Sequence, residues 1–556
     1  MALRERLEQV GFVAKVLSST RMLASINPSG FLKFAKVARG TKPGPHLTLL
    51  LHAFNKPDAV AVSDHHRRIT WSNLNAEVNQ VAHGFASLGV KPGDRVGIMM
   101  RNCCEYVVTQ QALGRVGATA VQIGYRLKPK EIAYILGNST PQACIYHADY
   151  AAFMEEAREL AGVPDAANMV IVAAGPKQRF DLGTRYEDFV RGRPTDRPPG
   201  EYSDQGGVMV YTSGTTGKPK GAKRSAKDTG LEAAAELMMR VGMTSDERHM
   251  IVCPLYHSGA FGFFTLMASL GASNVLVEHF DEKVALETIQ RERITSAFMV
   301  PTMLARLAAL DESVRRKYDL SSLKWIMSGA APLPTETARR FMDAFGPILW
   351  NFYGATETGF VTLAGPSDHV AHPGTVGRLL RGNQVRLIGD DGNEVPRGEV
   401  GELYARNGML IEGYHDNEDA TNSAKRDGFF SVGDLARIDE LGFVYLQSRK
   451  SDMVISGGVN IYPREIEDHL VTHPDILEAA VIGVPDDEWG EALKAYIVPR
   501  RPGAVTEEDV GVYCHEGLAN FKRPRYVEFL DALPRNPTGK VLKRELRERH
   551  GQAGQK

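Results

Sequence analysis

The sequence predicts an α/β protein with a large N-terminal domain of α/β layers, a β-rich part within that domain, and a small, mobile α+β domain at the C-terminus. The first observation is length, because 556 residues exceed one compact core and imply several domains of roughly 100–200 residues. The second is a series of short, non-alternating apolar runs separated by helical patterns. The third is a change after about residue 374 to glycine-rich turns and short alternating strands.

The apolar runs indicate strands that are buried on both faces, as in α/β layers. Ahead of the first strand, Ser72 is predicted to cap a helix that Gly89 ends. The apolar face of this helix comprises Leu74, Val78, Val81, Phe85 and Leu88. Strands are predicted at residues 96–100, 170–173, 208–211, 274–277, 297–300 and 325–327.

The chain divides into three parts. Residues 1–48 form a basic amphipathic segment, residues 49–450 the large domain with its β-rich part at 374–450, and residues 451–556 the small domain. The small domain is predicted to be α+β and has the usual size of about 100 residues. Its helical patterns lie at 464–471 and 510–517 and its strand patterns at 479–484 and 495–498, while the β-rich part has strand patterns at 401–406 and 442–447.

The composition is that of an ordinary globular protein, with 43% hydrophobic and 24% charged residues. The 66 basic and 67 acidic side chains leave a net charge of −1, so no global field recruits nucleic acid. The five cysteines have neither metal-ligand nor disulfide spacing, which indicates a reduced, cytoplasmic setting. Since no apolar run approaches the roughly 18 residues of a membrane span, we expect a protein that is neither secreted nor integral to a membrane.

Residues 1–42 depart from this charge balance, with eight basic side chains against two acidic ones. Leu3, Leu7, Val10, Val13 and Leu17 recur at helical spacing, which would allow peripheral contact with an anionic membrane. The alternative, which we favour, is an amphipathic helix docked on its own domain. The sequence does not determine the oligomeric state and is compatible with a homodimer.

The most informative motif runs from Tyr211 to Gly221, directly after a predicted strand. Its glycines and hydroxyl residues can turn backbone N–H groups inward as an anion nest, while lysines add charge for a polyphosphate. The spacing fits neither the P-loop of NTPases nor a dinucleotide fingerprint. The candidate phosphate-binding residues are Thr212, Ser213, Gly214, Thr215, Thr216, Gly217, Lys218 and Lys220.

This stretch resembles the signature loop of the adenylate-forming superfamily, which includes acyl-CoA synthetases, adenylation domains of nonribosomal peptide synthetases and firefly-type luciferases. The resemblance extends over roughly residues 50–545 and is greatest to fatty acyl-CoA synthetases. Further motifs of the superfamily occur in the expected order, at residues 254–257 (PLYH), 328–333 (SGAAPL), 353–358 (YGATET), 433–434 (GD), 449 (R), 457–463 (GGVNIYP) and 537–540 (PTGK).

The resemblance implies ATP, Mg²⁺ and coenzyme A as cofactors. It places adenine against the backbone of a glycine-containing loop and against the ring of Tyr353, next to Gly354. It assigns the ribose and phosphate to Asp434 and Arg449, and magnesium to Glu357. The adenine loop comprises Gly329, Ala330, Ala331 and Pro332, and the resemblance adds Thr356 beside Glu357 and Thr215 as a further metal ligand.

The resemblance also implies the catalytic set, which is Lys540, His257, Thr356 and Glu357. The charge of Lys540 would bridge the substrate carboxylate and the α-phosphate during adenylation. His257, in a run where a buried core histidine would be the ordinary interpretation, would orient or gate the acyl group. An adenylate-binding regulator without catalysis would be expected to have lost such residues, but they are present.

Coenzyme A is predicted to approach past a turn formed by Ser456, Gly457 and Gly458, where a side chain would obstruct pantetheine. Because Lys540 and Gly457 serve different half-reactions from one small domain, we expect that domain to rotate between them. Relatives usually carry Asp or Lys at the hinge, but here Ser451 stands two residues after the arginine. A second departure is the stretch 222–225, where relatives often have Val followed by a Ser-His pair.

The acyl pocket is predicted to include His257, Gly259, Val300 and Gly354. Gly354 stands where relatives acting on acetate carry a tryptophan, and small residues follow His257, so we expect an open pocket. The prediction is an ATP-dependent acid–thiol ligase that converts a medium- to long-chain fatty acid to acyl-CoA through acyl-AMP, releasing AMP and pyrophosphate. The alternatives are an aromatic or terpenoid/steroid-type acid as substrate, an acyl carrier protein as acceptor, or oxygenation of a luciferin-like adenylate.

Overall fold

The computed structural model describes residues 15–39, 45–172, 183–198, 206–212, 219–225, 230–486, 488–536 and 539–553. Numbered in chain order, the strands are β1 (Val60–Ser63), β2 (Arg68–Thr70), β3 (Arg95–Met99), β4 (Thr119–Gln122), β5 (Ala143–His147), β6 (Met169–Val172), β7 (Thr184–Arg185), β8 (Gly207–Thr212), β9 (Lys220–Ser225), β10 (Arg248–Ile251), β11 (Ser273–Leu276), β12 (Ser296–Met299), β13 (Trp325–Ser328), β14 (Leu349–Ala355), β15 (Gly359–Ala364), β16 (Arg378–Leu379), β17 (Gln384–Ile388), β18 (Gly401–Arg406), β19 (Gly413–Tyr414), β20 (Lys425–Arg426), β21 (Phe429–Ile438), β22 (Val444–Arg449), β23 (Val454–Ser456), β24 (Val459–Ile461), β25 (Ile476–Asp486), β26 (Gly490–Pro499) and β27 (Tyr526–Phe529).

The helices are likewise numbered in chain order. They are α1 (Pro28–Ala38), α2 (Pro45–Asn55), α3 (Trp71–Ser87), α4 (Cys104–Val116), α5 (Pro129–Ser139), α6 (Ala151–Ala161), α7 (Tyr186–Val190), α8 (Leu231–Val241), α9 (Ser258–Leu270), α10 (Glu282–Glu292), α11 (Pro301–Ala308), α12 (Glu312–Arg315), α13 (Thr335–Phe345), α14 (Pro366–Ala371), α15 (Glu418–Ala424), α16 (Pro463–Val471), α17 (Glu507–Gly517) and α18 (Lys543–Ala553).

Two large sheets form the main layers of the N-terminal domain. The first has the strand order β16-β15-β14-β13-β12-β10-β11-β1-β2 and is parallel from β14 to β1. The second has the order β19-β9-β8-β4-β3-β5-β6-β7 and is parallel from β8 to β7. Both sheets end in antiparallel strands at one edge, where β15 and β16 continue the first sheet and β9 and β19 the second.

Helices α3 and α4 lie between the two sheets, because their apolar side chains share one core with strands of both. This shared core includes Val78, Val81, Phe85 and Val108 of the helices, Val96 and Ile98 of one sheet, and Ile251 and Leu276 of the other. Helices α10, α11 and α13 cover the outer face of the first sheet, and α5 and α6 cover that of the second. The predicted α/β layers are thus present, and the carboxyl ends of the parallel strands are where we look for a site.

The β-rich part is a five-stranded antiparallel sheet in which β17, β18, β21 and β20 follow one another and β22 pairs with β21. The C-terminal domain has its own core around β25 and β26, with α16, α17 and the hairpin β23-β24 packed against them. The β-rich part and the α+β C-terminal part are therefore both present, as the change of sequence pattern indicated.

Two local predictions were wrong. Thr70, and not Ser72, is the N-cap of α3, since its hydroxyl accepts a hydrogen bond from the Asn73 N–H and the helix has already begun at Trp71. The run at 208–211 lies in β8, but only Met209 of that strand is buried. Strand β8 pairs with β4 on one side and with β9 on the other, and Thr212 at its end contacts Glu357 of the site described below.

The described part of the N-terminal segment contacts the body of the protein. Thr20 is buried and its carbonyl accepts a hydrogen bond from the Ser245 N–H at 3.0 Å, while Arg21 pairs with Asp246 at 3.2 Å. A β-carbon on Gly30 would clash with the Phe54 carbonyl, so α1 lies closely on α2. The predicted apolar residues Leu3, Leu7, Val10 and Val13 lie outside the described residues. None of the helices that the structure describes is long and apolar enough to span a membrane.

Candidate active site

The candidate site lies where the hairpin β14-β15 meets the hairpin β8-β9 and the strands β21 and β22. Glu357 is at the tip of the first hairpin and is only 6% exposed. Its Oε1 accepts hydrogen bonds from the Tyr414 hydroxyl at 3.1 Å and from the Thr212 hydroxyl at 3.3 Å. The Glu357 carbonyl accepts from the Ile411 N–H at 3.0 Å. The carboxylate, carried by a hairpin of the first sheet, is therefore held in one orientation by two hydroxyl groups of the second sheet.

Thr356 is fixed by two contacts that come from other elements. Its hydroxyl lies 2.8 Å from the hydroxyl of Ser258, the first residue of α9. Its carbonyl accepts a hydrogen bond from Arg224 Nη2 at 2.7 Å, and Arg224 belongs to β9. The stretch 222–225, which departs from the superfamily pattern, thus contributes a residue that supports the Thr356–Glu357 turn.

Asp434 and Arg449 meet because β21 and β22 pair in the register that sets these two residues opposite each other. Arg449 Nε lies 3.3 Å from Asp434 Oδ1, and the Tyr353 hydroxyl donates to Asp434 Oδ2 at 2.9 Å. Burial first, and the neighbouring Asp434 carboxylate second, raise the pKa of the Tyr353 phenol well above its usual range. The structure therefore brings together three of the residues that the resemblance assigned to the nucleotide.

The predicted adenine loop follows β13, at the carboxyl end of the first sheet. A β-carbon on Gly329 would clash with the ring of Phe352, so packing within the protein is sufficient to require this glycine. Ala330 has a φ of 66°, a left-handed conformation that is uncommon for alanine and indicates local strain. Ala330 and Pro332 are exposed, which leaves the outer face of the loop accessible to a ligand.

His257 is the N-cap residue of α9, with its ring 4.0 Å from that of Tyr256. Two glycines that follow His257 lie close to aromatic rings. A β-carbon on Gly259 would lie 3.1 Å from the Phe298 ring, and one on Gly262 would lie 3.3 Å from the Phe360 ring. Small residues at these two positions therefore also have a reason in packing against aromatic rings, and an open acyl tunnel stays a prediction.

Gly354 also has a structural explanation that is unrelated to the length of the acyl group. It lies at an irregularity in the pairing of β14 with β15, where an added β-carbon would clash with the Gly359 carbonyl. Val300 is buried and caps α11, and a β-carbon on Gly539 of the C-terminal domain would lie 3.5 Å from its side chain. Val300 thus lies beneath the turn that carries the predicted catalytic lysine.

Lys540 is held by a turn in which its N–H donates to Asn536 Oδ1 at 2.9 Å and its carbonyl accepts from the Asn536 N–H at 2.9 Å. Burial, followed by the positive charge of Arg449, lowers the pKa of Lys540 from 10.5 to about 8, while Asp434 and Asp452 act in the opposite direction. The lysine of the C-terminal domain is therefore within electrostatic reach of the Asp434–Arg449 pair of the N-terminal domain.

Ser456, Gly457 and Gly458 form the tight turn of the hairpin β23-β24. Gly457 has a φ of 57° and Gly458 a φ of 79°, the positive values that a two-residue hairpin turn of this kind requires. The Gly457 N–H donates to the Trp489 carbonyl at 2.9 Å, and a β-carbon on Gly457 would lie 2.5 Å from the Trp489 ring. Trp489, for which the sequence showed no signal, is thus packed directly on the predicted CoA-binding turn.

The predicted phosphate loop is described only at its ends. Thr212 and Lys220 face each other as paired residues of β8 and β9, and the Lys220 ammonium lies 5.0 Å from the centre of the Tyr414 ring. These two residues border the Glu357 turn. Ser213, Gly214, Thr215, Thr216, Gly217 and Lys218 lie outside the described residues.

The oxygen atoms at and around the Glu357 carboxylate are suited to a nucleotide that carries a hard divalent cation. Glu357 provides a buried carboxylate surrounded by hydroxyl oxygens, the ligand type that Mg²⁺ prefers. Among the described residues, no three His, Cys, Asp or Glu side chains converge as a metal cluster. A cation here would therefore depend on phosphate and water oxygens in addition to Glu357, as magnesium in nucleotide sites does.

Comparison with known proteins assigns the family. A model of the AMP-binding enzyme family matches residues 51–415, and a model of the AMP-binding enzyme C-terminal domain matches residues 465–540. The chain belongs to the AMP-binding enzyme family. This confirms the resemblance to the adenylate-forming superfamily and the division into a large N-terminal and a small C-terminal domain.

Relatives within the AMP-binding enzyme family match nearly the whole chain. Feruloyl-CoA synthase of Amycolatopsis sp is 35% identical over 497 residues, which cover 89% of this chain and 96% of that enzyme. A long-chain-fatty-acid–CoA ligase of Mycobacterium tuberculosis is 32% identical over 485 residues, covering 87% of this chain and 93% of that enzyme. An anthranilate CoA ligase, solved in complex with anthranoyl-AMP, has a TM-score of 0.85 at 28% identity and covers 92% of this chain and 98% of its own.

Proposed function

We propose that this protein is an ATP-dependent acid–CoA ligase that forms an acyl-adenylate, releases pyrophosphate and transfers the acyl group to the thiol of coenzyme A. The observation that carries the proposal is the approach of Lys540 to the Asp434–Arg449 pair, beside a fixed Glu357. A cation at this point offsets the repulsion between an incoming carboxylate and the α-phosphate. The matched relatives are acid–CoA ligases, which agrees with this chemistry.

In the first half-reaction, a carboxylate oxygen of the substrate attacks the α-phosphorus of ATP and pyrophosphate leaves. Lys540 binds the two anionic groups that approach each other, and Asp434 accepts from the ribose hydroxyls. Bound Mg²⁺ would neutralise phosphate charge, and Glu357 is the residue that would hold it. Tyr414, Thr212 and Arg224 do not react in this scheme, because they hold the Thr356–Glu357 turn in position.

In the second half-reaction, the CoA thiol attacks the acyl carbonyl, its proton is lost and AMP leaves. Gly457 and Trp489 are the residues that we assign to the thiol donor, which requires the C-terminal domain to rotate. Lys450 is bonded to Glu402 of the N-terminal domain at 3.1 Å, while Asp452 is bonded to Arg547 of the C-terminal domain at 3.0 Å. Ser451 lies between these two anchored residues, so we place the hinge there.

For the acid, we propose an aromatic or other compact cyclic carboxylic acid. Phe263, Phe298, Phe352 and Phe360 pack against one another, with ring centres 5.1–6.0 Å apart, behind the first turn of α9. Buried rings packed this closely form a rigid apolar wall beside α9, which suits a flat or compact acid better than a flexible chain. The similarity to feruloyl-CoA synthase and to an anthranilate CoA ligase supports this substrate class. A medium- to long-chain fatty acid is the second candidate, supported by the 32% identity to the mycobacterial ligase.

The test is a panel of acids with ATP, magnesium and CoA, in which pyrophosphate and thioester are measured together. Hydroxycinnamic, benzoic, alicyclic and straight-chain fatty acids are compared by kcat/KM, with Lys540→Ala as the matched control for background hydrolysis. We expect the highest kcat/KM for an aromatic or alicyclic acid. A fatty acid at the top of the panel would overturn the substrate class, and pyrophosphate without thioester would indicate a carrier protein as the acceptor.

A further inference from the structure

The contact between helices α13 and α16 joins the two domains through a buried arginine. Arg464 belongs to α16 of the C-terminal domain, but it is only 8% exposed. Its Nη2 donates to the Leu333 carbonyl of the N-terminal domain at 3.3 Å. Leu333 directly follows the predicted adenine loop and precedes α13. The arginine therefore connects the loop at the nucleotide site with the domain that carries Lys540.

The position of Arg464 is locally unfavourable. It is the second residue of α16, at the helix end where the dipole favours anionic side chains and disfavours a cation. Within the described part of the chain, its Nη1 is buried without a hydrogen-bond partner, although its Nε forms an ion pair with Asp468, one turn along the same helix, at 3.6 Å. A cation at a helix N-terminus and a buried donor without a partner both break local rules of protein structure. Such exceptions are typical of functional positions.

From these contacts we propose that Arg464 is a positioning residue that holds the C-terminal domain in the arrangement presenting Lys540, and that releases the Leu333 carbonyl when the domain rotates. This rests on the proposed two-step function. The contact with the Leu333 carbonyl is a single hydrogen bond of 3.3 Å, so rotation of the domain has only this bond to break at Leu333. Because the acceptor is a backbone carbonyl beside the adenine loop, the contact favours the arrangement that the first half-reaction needs.

The test is Arg464→Met, which keeps the length of the side chain and removes its charge and donors. We expect kcat/KM for pyrophosphate release to fall about tenfold, which corresponds to about 1.4 kcal/mol. Thioester formation from supplied acyl-adenylate and CoA is expected to stay within about twofold of the wild type or to rise. Arg464→Lys keeps a charged donor and should recover part of the first half-reaction. The matched control is Arg501→Met, an exposed arginine of the same domain paired with Asp475 at 3.5 Å, which should change neither half-reaction.

A distance measurement makes this test independent of substrate identity. All five native cysteines are buried, so cysteines introduced at the exposed positions Lys317 and Glu507 can carry one fluorophore in each domain. We expect Arg464→Met to shift the distance distribution away from the wild-type arrangement, and Arg501→Met to leave it unchanged. An unchanged distribution, or equal loss of both half-reactions in Arg464→Met, would overturn the role of Arg464. Absence of pyrophosphate release by the wild type with every acid would instead overturn the proposed function.

Discussion

At the scale of single residues, the glycines show that a motif can be identified correctly while its glycine is required for a different reason than expected. Gly329 and Gly354 were interpreted as room for adenine and for an acyl chain. In the structure, a side chain at Gly329 would meet the Phe352 ring, and one at Gly354 would meet the Gly359 backbone. Both positions therefore exclude a β-carbon before any ligand is considered. Glycine at a motif position is thus weak evidence on substrate size.

The role of Lys540 leads to the first prediction, on Lys540→Ala. We expect adenylate formation to slow by about 10²-fold, as when a preorganised donor is removed from an anionic transition state. Thioester formation from supplied acyl-adenylate and CoA is expected to change much less, because a thiol attacking an activated carbonyl does not bring two anions together. Single-turnover measurements of each half-reaction, with the circular dichroism spectrum as a control for folding, provide the test. Equal loss in both steps would remove Lys540 from this role.

The second prediction concerns pH. The pKa of Lys540 is lowered to about 8, so the ammonium is present below this pH and is lost as the pH rises through it. We therefore expect kcat/KM for adenylation, which reports on the free enzyme, to fall above about pH 8. At saturating ATP the phosphates favour the charged form, so the fall in kcat should move to higher pH.

Lys540→Arg is the matched variant for this pH profile, since a guanidinium keeps its charge throughout the range. Whatever its absolute rate, its profile should lack the fall near pH 8. A fall at the same pH in both proteins would assign the titration to another group.

At the scale of elements, hairpins position most of the site. The hairpin β14-β15 carries Glu357, β8-β9 provides Thr212 and Lys220, and the pairing of β21 with β22 sets Asp434 opposite Arg449. Turn geometry and side-chain alternation determine the register of a hairpin. Two residues that lie opposite each other on its strands are therefore held at a fixed separation. The short strand β19 adds Tyr414 to Glu357 by pairing with β9.

The third prediction is on the turn of the hairpin β23-β24. Gly457→Ala introduces a β-carbon at a φ of 57° and at 2.5 Å from the Trp489 ring, so the turn and the tryptophan must both shift. We expect thioester formation to fall by at least about tenfold, by analogy with the cost of misplacing a substrate-positioning group. Adenylation should be little changed, because Lys540 lies in a different turn.

Gly458→Ala is the matched control for Gly457→Ala. Gly458 has a φ of 79°, so alanine there has a similar backbone strain, but no atom lies within 4 Å of the added carbon. Isotope exchange between pyrophosphate and ATP measures the first step, and thioester formation the second. If both variants impair thioester formation equally, the contact with Trp489 is not the cause, and backbone strain or obstruction of pantetheine at the turn accounts for the loss.

At the scale of the whole molecule, the described arrangement fits the adenylation step of the proposed function, because Lys540 is within electrostatic reach of Asp434 and Arg449 while Gly457 contacts Trp489 of its own domain. The fourth prediction is that a disulfide introduced between α13 and α16 locks this arrangement. The oxidised protein should still release one equivalent of pyrophosphate per site but form no thioester, and reduction should restore turnover. Full two-step turnover in the oxidised, demonstrably crosslinked protein would contradict domain rotation.

Local sequence was sufficient for those features that depend on neighbours along the chain. The buried parallel strands, the β-rich part and the C-terminal α+β domain were recognisable, because apolar periodicity and turn residues act over a few positions. The motif residues were recognisable through their resemblance to the adenylate-forming superfamily. The same reliance on neighbouring residues explains the two wrong predictions. Whether Ser72 or Thr70 caps α3, and whether residues 208–211 are buried, depends on the surrounding structure and not on the sequence pattern alone.

Only the tertiary structure decided which distant residues meet. Tyr414 and Arg224 reach the Thr356–Glu357 turn from strands 57 and 132 positions away, and Arg464 reaches Leu333 across 131 positions. Phe298 and Phe360 lie close to the glycines that follow His257, from strands that are distant in the sequence. Contacts of this kind follow from sheet order and domain packing, and a side chain carries no local sequence signal of the partner that folding brings to it.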